Sequence, residues 1–263
     1  MSQIFNMKIK TIILCGGLGT RLSEETHLKP KPMVEIGEKP ILWHIMSLFS
    51  KFGVSDFTLA LGYKGDVIKD YFKNYHSRMS DMTINIKSGN IIYQTPTIED
   101  WNISLIDTGV NSMTGGRLLR LKEYFSHEDA PFILTYGDGL ADIDIEKLVN
   151  FHNSHGKIAT VTVVRPPARF GGLQITNKKV IKFQEKPESG ENWINGGFFV
   201  FQKEIFNYLE SDSTILERLP LENLVKDGEL MAYEHTGFWQ CMDTIRDRDL
   251  LQNLIKSGQI PWL

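Results

Sequence analysis

Ile9-Lys10-Thr11-Ile12-Ile13-Leu14-Cys15-Gly16-Gly17-Leu18-Gly19-Thr20-Arg21 begins as an apolar, β-branched run and breaks into closely spaced glycines. The run predicts a buried strand over residues 9–15, and the glycines predict a turn at its carboxyl end. With no Cβ in the way, the backbone N–H groups of Gly16, Gly17 and Gly19 can turn toward an anion. Thr20 adds a hydroxyl and Arg21 a fork of donors suited to phosphate oxygens. Turns and dinucleotide sites use glycine clusters too. Here, however, no third glycine opens a helix at the dinucleotide spacing, and no Gly-Lys-Ser/Thr follows.

Outward from that strand the rhythm repeats. Ile41, Leu42, Ile45, Leu48, Phe49 and Phe52 keep helical spacing between Pro40, which suits a first turn, and Gly53, which suits a stop. Residues 57–61 read as a second strand, 66–72 as a short helix, 132–136 as a strand and 144–155 as a helix, which is a βαβ alternation. Residues 83–95 read as a hairpin turning at Ser88-Gly89-Asn90, while 158–164, 173–175 and 180–183 add strands. Late helices at 217–226 and 246–256 flank strands at 230–235 and 238–241. The expected fold is α/β, a Rossmann-like mixed and mainly parallel sheet flanked by helices. A single domain spanning residues 1–263 is expected, without repeat or linker.

Composition sets the bounds. The chain has 263 residues, 41% hydrophobic and 23% charged, enough for a large core. A formal net charge of -3 gives no basic face for nucleic acid or anionic membrane, so neither partner is expected and any polyanion must be met by local cations. Cys15 and Cys241 lie far apart and suggest neither a disulfide framework nor a zinc site, which fits a reducing compartment. Residues 1–10 lack the apolar run of a signal peptide, and no stretch approaches the ~20 apolar residues of a membrane span. A cytoplasmic protein is expected.

Lys29-Pro30-Lys31-Pro32 places two cations on a stretch stiffened by prolines, so an ammonium can be held over phosphates at little entropic cost. The strand at 132–136 ends in Tyr136-Gly137-Asp138-Gly139, which sets a carboxylate at the edge where open α/β sheets bind ligands. Asp243 follows another strand pattern. Either aspartate suits magnesium, which takes a few carboxylate oxygens plus phosphates, although Asp138 also suits a tight turn and Asp243 a helix N-cap. Asp142-Ile143-Asp144 imitates the Asp-x-Asp of metal-dependent glycosyltransferases, but the apolar helix beginning there favours a cap. Glu185-Lys186-Pro187 and Asn195-Gly196-Gly197 read alone as a charged turn and a glycine bulge, and Gly171-Gly172 as a turn.

Gly17, Gly19, Thr20, Arg21, Pro30 and Lys31 match the Gly-x-Gly-Thr-Arg and later Pro-Lys signature of the sugar-nucleotide pyrophosphorylases, which this chain resembles. The resemblance implies that Arg21 meets the departing pyrophosphate, that Lys31 meets the transferring phosphate, and that Asp138 and Asp243 jointly hold Mg²⁺. It implies a sugar-phosphate pocket built from Tyr136, Gly172, Glu185, Lys186 and Asn195, with Gly137 on the nucleotide side.

The Gln-x-x-Gly stretch usual in uridylyl and thymidylyl relatives is missing. In its place stand Asp107-Thr108-Gly109 and Ser112-Met113-Thr114-Gly115-Gly116-Arg117, which resemble the cytidylyl branch. So do Met33-Val34-Glu35-Ile36-Gly37 and Glu229-Leu230-Met231-Ala232, whereas Cys15 stands where relatives commonly carry Ala. The implied partners are CTP and glucose 1-phosphate, with Ser112 and Arg117 as candidate donors to the cytosine O2 and N3 acceptors. An exposed position on an amphipathic helix is the other reading of Arg117. The resemblance also implies a homo-oligomer, a hexamer, supplying deoxysugars of surface polysaccharides. A uridylyl- or thymidylyltransferase, a glycosyltransferase using Asp142 and Asp144, and a catalytically silent nucleotide-binding module are the alternatives.

Overall fold

The computed structural model describes residues 9–19, 22–94, 98–127, 129–166, 172–176, 179–184 and 193–263. Among these, β1 (Thr11–Cys15), β2 (Asp56–Leu61), β3 (Asn102–Asp107), β4 (Phe132–Tyr136), β5 (Ala159–Val164), β6 (Ile194–Phe201) and β7 (Leu230–His235) form one sheet in the order β7-β5-β6-β4-β1-β2-β3. Parallel pairs join β1 to β2 and β4, β2 to β3, and β5 to β7. Only β6 is reversed, running antiparallel to β4 and β5. This is the mixed, mainly parallel sheet that the periodicity predicts.

The opening strand shows why it forms. Every residue of β1 is buried, and alternation sends Ile13 and Cys15 into one core and Ile12 and Leu14 into the other. A strand covered on both faces needs an unbroken apolar run. One core centres on Phe49, Phe57 and Trp262, the other on Phe125, Phe132, Phe199 and Phe201. Each such side chain removed from water contributes about 2 kcal/mol, so the two layers supply the main favourable term.

Helices α1 (Ile41–Ser50), α2 (Gly65–Lys73), α3 (Thr114–Arg120), α4 (Ile145–His155), α5 (Leu219–Lys226) and α6 (Ile245–Lys256) accompany the strands. Pro40 precedes α1, and Gly53, at φ 78°, follows it. Asp144 caps α4, its carboxylate accepting from Lys147 N at 3.0 Å, which is the cap expected there. The expected hairpin pairs Asp81–Ile84 with Ile91–Gln94, and Gly172–Thr176 pairs with Lys179–Gln184. None of the helices among the described residues is long and apolar enough to cross a membrane.

Three differences from the sequence reading have physical causes. β1 starts at Thr11, two residues later than expected. Residues 102–107 gave no strand signal because β3 is the sheet edge, half-exposed along its length, and lacks the apolar run of a central strand. α5 begins at Leu219, with Pro220 in its first turn, so Glu217 lies outside the helix that had been expected to contain it.

Leu14 sits opposite Tyr136, so β1 and β4 end side by side at the carboxyl edge of the sheet. Gly137 N donates to Leu14 O at 3.1 Å, which fixes the two exiting loops together.

Candidate active site

A cleft of about 630 Å³ opens at that edge, between the exit of β1, the exit of β4 and the start of α3. Gly16, Gly17 and Gly19 line it, while Thr20 and Arg21 lie outside the described residues. Gly19 adopts φ 64°, the left-handed conformation that a side chain would strain. At Gly16 a Cβ would fall 2.2 Å from the Arg117 guanidinium carbon, so the loop must be bare there.

Lys31 enters from a single 3-10 turn, Lys31–Met33, held between Pro30 and a buried Pro32. Its Nζ donates to Asp138 Oδ2 at 2.7 Å and to Asp243 Oδ1 at 2.6 Å. Burial alone would lower the pKa of this ammonium, but the adjoining carboxylates, Asp138 foremost, overcome that and raise it. The two aspartates are 105 residues apart in sequence and are joined by a short antiparallel pair, Gly139–Ala141 with Trp239–Cys241. Met242 N donates to Asp138 O at 2.8 Å within the same junction.

The N-cap of α6 is Thr244, which closes a capping box with Asp247, so the cap reading of Asp243 is corrected. Its carboxylate is left facing Lys31. The two carboxylate oxygens are no farther apart than the sum of their distances to Nζ, and one small cation already sits between them as an ammonium. That arrangement fits Mg²⁺. Among the described residues no group of three or more His, Cys, Asp or Glu forms, so further oxygen ligands would come from phosphates and water. Asp142 and Asp144 make no such pair: Asp142 contacts His235 at 3.0 Å and Asp144 caps α4.

For Arg117 the reading as an exposed position on an amphipathic helix is corrected. It is only 4% exposed, and its guanidinium donates to Leu61 O, Thr108 Oγ1, Gly109 O, Gly16 O and Val110 O at 2.6–3.2 Å. Those contacts engage both terminal nitrogens, and the side chain also lines the cleft beside Ser112. Arg117 is instead the clamp that fixes the glycine loop to the exits of β2 and β3. Ser112, 6% exposed, does line the cleft.

On the opposite wall Tyr136 Oη donates to Glu217, and Asn195 Nδ2 donates to Tyr136 Oη at 3.4 Å. Asn195 Oδ1 accepts from Gly197 N at 2.8 Å, and Thr114 Oγ1 donates to the other Glu217 oxygen at 2.6 Å. Burial first, and then the Glu217 charge, pushes the Tyr136 hydroxyl well above its ordinary pKa. Gly172 opens the strand paired with Lys179–Gln184, and Glu185 and Lys186 lie outside the described residues. Sequence reasoning missed Glu217. The proline two residues past the observed helix boundary's start-side neighbour, Pro220, was the signal that could have freed it from α5. Cys241 also lines the cleft, its thiol pushed up to about 12 by burial and then by Asp243.

The nucleotidyl transferase family model matches residues 10–244. A glucose-1-phosphate cytidylyltransferase from Salmonella typhimurium is 52% identical over 254 residues, covering 97% of this chain and 98% of that protein. A mannose-1-phosphate guanyltransferase from Gibberella zeae is 31% identical over 249 residues, covering 92% of this chain and 62% of that protein. Among solved structures, a UDP-glucose pyrophosphorylase complexed with UDP-glucose has a TM-score of 0.68 at 16% identity, over 96% of this chain and 100% of that one, which is a likeness of fold.

Proposed function

The chain belongs to the nucleotidyl transferase family, and from that premise we propose that it transfers a cytidylyl group from CTP to α-D-glucose 1-phosphate, giving CDP-glucose and pyrophosphate. The observation that carries the reading is the meeting of Lys31, Asp138 and Asp243 beside the glycine loop. CTP is favoured over other triphosphates by the nearly full-length similarity to a cytidylyltransferase.

A phosphate oxygen of the sugar phosphate attacks the α-phosphorus in line. The new P–O bond forms as the bond to the β-phosphate oxygen breaks, and pyrophosphate leaves with that electron pair. The attacking group is already ionised near neutral pH, so no protein base is required. The protein aligns the reactants and neutralises charge. Lys31 would serve the transferring phosphate, Arg21 the departing pyrophosphate and Lys186 the sugar phosphate. Mg²⁺ on Asp138 and Asp243 would supply positive charge to phosphate oxygens. Tyr136 and Asn195 offer hydrogen-bonding groups to a hydroxyl-rich sugar. A hexameric homo-oligomer, a cytoplasmic location and a product used for surface polysaccharides complete the reading.

The test is pyrophosphate release with each of the four NTPs, magnesium and glucose 1-phosphate. Release that needs both CTP and the sugar phosphate is expected. Sugar transfer from a supplied nucleotide sugar, or binding without turnover, would overturn it.

A further inference from the structure

Glu217 has no part in the chemistry above, yet its carboxylate stands in the cleft with both oxygens engaged. Tyr136 Oη donates to one and Thr114 Oγ1, at 2.6 Å, to the other. The segment carrying Glu217 is stitched onto the start of α3. Met113 N donates to Asp212 O at 2.8 Å, Gly116 N to Thr214 O at 3.0 Å, and Leu216 N to Thr114 Oγ1 at 3.0 Å. Arg120 adds an ion pair with Asp212. Glu217 is therefore held from behind, and its carboxylate joins the α3 wall to the end of β4.

We propose that Glu217 is a positioning residue for the sugar phosphate: by accepting the hydrogen bond that the Tyr136 hydroxyl donates, it leaves the Tyr136 oxygen to act as an acceptor for a sugar hydroxyl. A phenol hydroxyl can donate one hydrogen bond, and Glu217 accepts it. One Tyr136 lone pair accepts from Asn195 Nδ2, and the other is what Tyr136 presents to the cleft. Asn195 is fixed in the complementary sense, because Gly197 N occupies its Oδ1 and leaves Nδ2 as the donor. The wall thus offers an acceptor from Tyr136 and a donor from Asn195, a set that matches a sugar hydroxyl. The Glu217 charge also disfavours phosphate at this end and leaves it to the Lys31 end. The inference rests on the cleft accepting a sugar phosphate beside a nucleotide.

Steady-state kinetics with each substrate varied, on Glu217→Gln, Tyr136→Phe and the double variant, test it, with thermal melts to confirm folding. A carboxamide keeps the shape but gives one oxygen two hydroxyls to serve, so the Tyr136 proton is no longer held in place. Glu217→Gln is expected to raise KM for glucose 1-phosphate about tenfold while leaving KM for CTP and kcat within about threefold. Because Glu217 acts through Tyr136, the double variant should be no worse than Tyr136→Phe alone. An unchanged sugar-phosphate KM, an equal rise in KM for CTP, or additive effects in the double variant would each overturn the proposal. Wild-type turnover checks the reaction separately. If the wild type uses another NTP or sugar phosphate, the assigned substrates are wrong, and the same series on the pair it does use decides the role of Glu217.

Discussion

Lys31 holds two carboxylates together that would otherwise repel, and the buried side chains of its turn are those of Pro32 and Met33 rather than its own. Lys31→Ala should therefore lower turnover by about 10²–10³, while thermal melting with magnesium present to neutralise the two carboxylates stays near wild type, since the loss is of charge at the reacting phosphate. The same change removes a cation that competes for Asp138 and Asp243. Mn²⁺ titrated into the nucleotide-free protein, followed by electron paramagnetic resonance, should bind Lys31→Ala more tightly than wild type, and Asp138→Asn or Asp243→Asn more weakly. Equal Mn²⁺ affinity in all four proteins would remove the metal pair. Arg117→Met should act on stability instead. Gly16, Leu61, Gly109 and Val110 carbonyls lose their shared donor, a loss of about 3 kcal/mol measurable by denaturant titration. Prolines and strand ends marked where Lys31, Asp138 and Asp243 emerge, but they left Asp138 open as a turn residue and Asp243 as a helix cap, and only the resemblance implied that the three act together. The role of Arg117 was not legible in the sequence, because its acceptors come from segments that only the folded sheet brings together.

At the level of elements, the stretch from Ser112 to Arg117 owes most of its residues to packing. Gly115 and Gly116 face the segment Asp212–Leu216, and a Cβ on Gly116 would lie 2.2 Å from the Asp212 carbonyl oxygen. Backbone cannot swing aside as a side-chain tip can, so Gly116→Ala should cost about 1–3 kcal/mol and loosen the wall that carries Glu217. Equilibrium unfolding of the variant measures it. The start of α6 is tied to the Asp138–Asp243 pair in a similar way: Asp247 Oδ2 accepts from Asp243 N at 3.1 Å as well as from Thr244 N and Oγ1. Asp247→Ala is expected to remove about 1 kcal/mol of capping and to raise the magnesium concentration needed for half-maximal activity, two effects read in separate experiments. Elements with an unbroken apolar run, such as β1 and β4, were plain from the sequence. β3 and the three-residue strand Gly139–Ala141 were not, because an edge strand and so short a segment leave no periodicity to detect, although its partner at Trp239–Cys241 falls within the expected strand at 238–241.

Across the whole molecule, two histidines make the fold sensitive to acid. His44, 4% exposed, accepts from Trp262 Nε1 at 3.2 Å through Nδ1 and donates through Nε2 to Ile36 O at 2.9 Å. His152, fully buried, accepts from Gln202 Nε2 at 3.2 Å and donates through Nδ1 to Thr160 Oγ1 at 2.9 Å. Each ring is thus fixed as a neutral tautomer, and a second ring proton would face a donor. Burial is the main cause that lowers both pKa values to about 4 from the ordinary 6.5. A folded pKa below the unfolded one means that the unfolded chain takes up protons first as pH falls. The stabilisation is complete above the unfolded value, declines from about pH 6.5, and is lost by about pH 4. Across that window each histidine withdraws roughly 3 kcal/mol. Urea midpoints should therefore fall steadily between pH 7.5 and 4.5, in a range where most carboxylates are still ionised. Because His44 and His152 act independently of the cleft, replacing both with Gln should flatten that decline while leaving the CTP and magnesium dependence of turnover at pH 7.5 as in the wild type. A decline of the same steepness in the double variant would assign the acid sensitivity to the carboxylates instead.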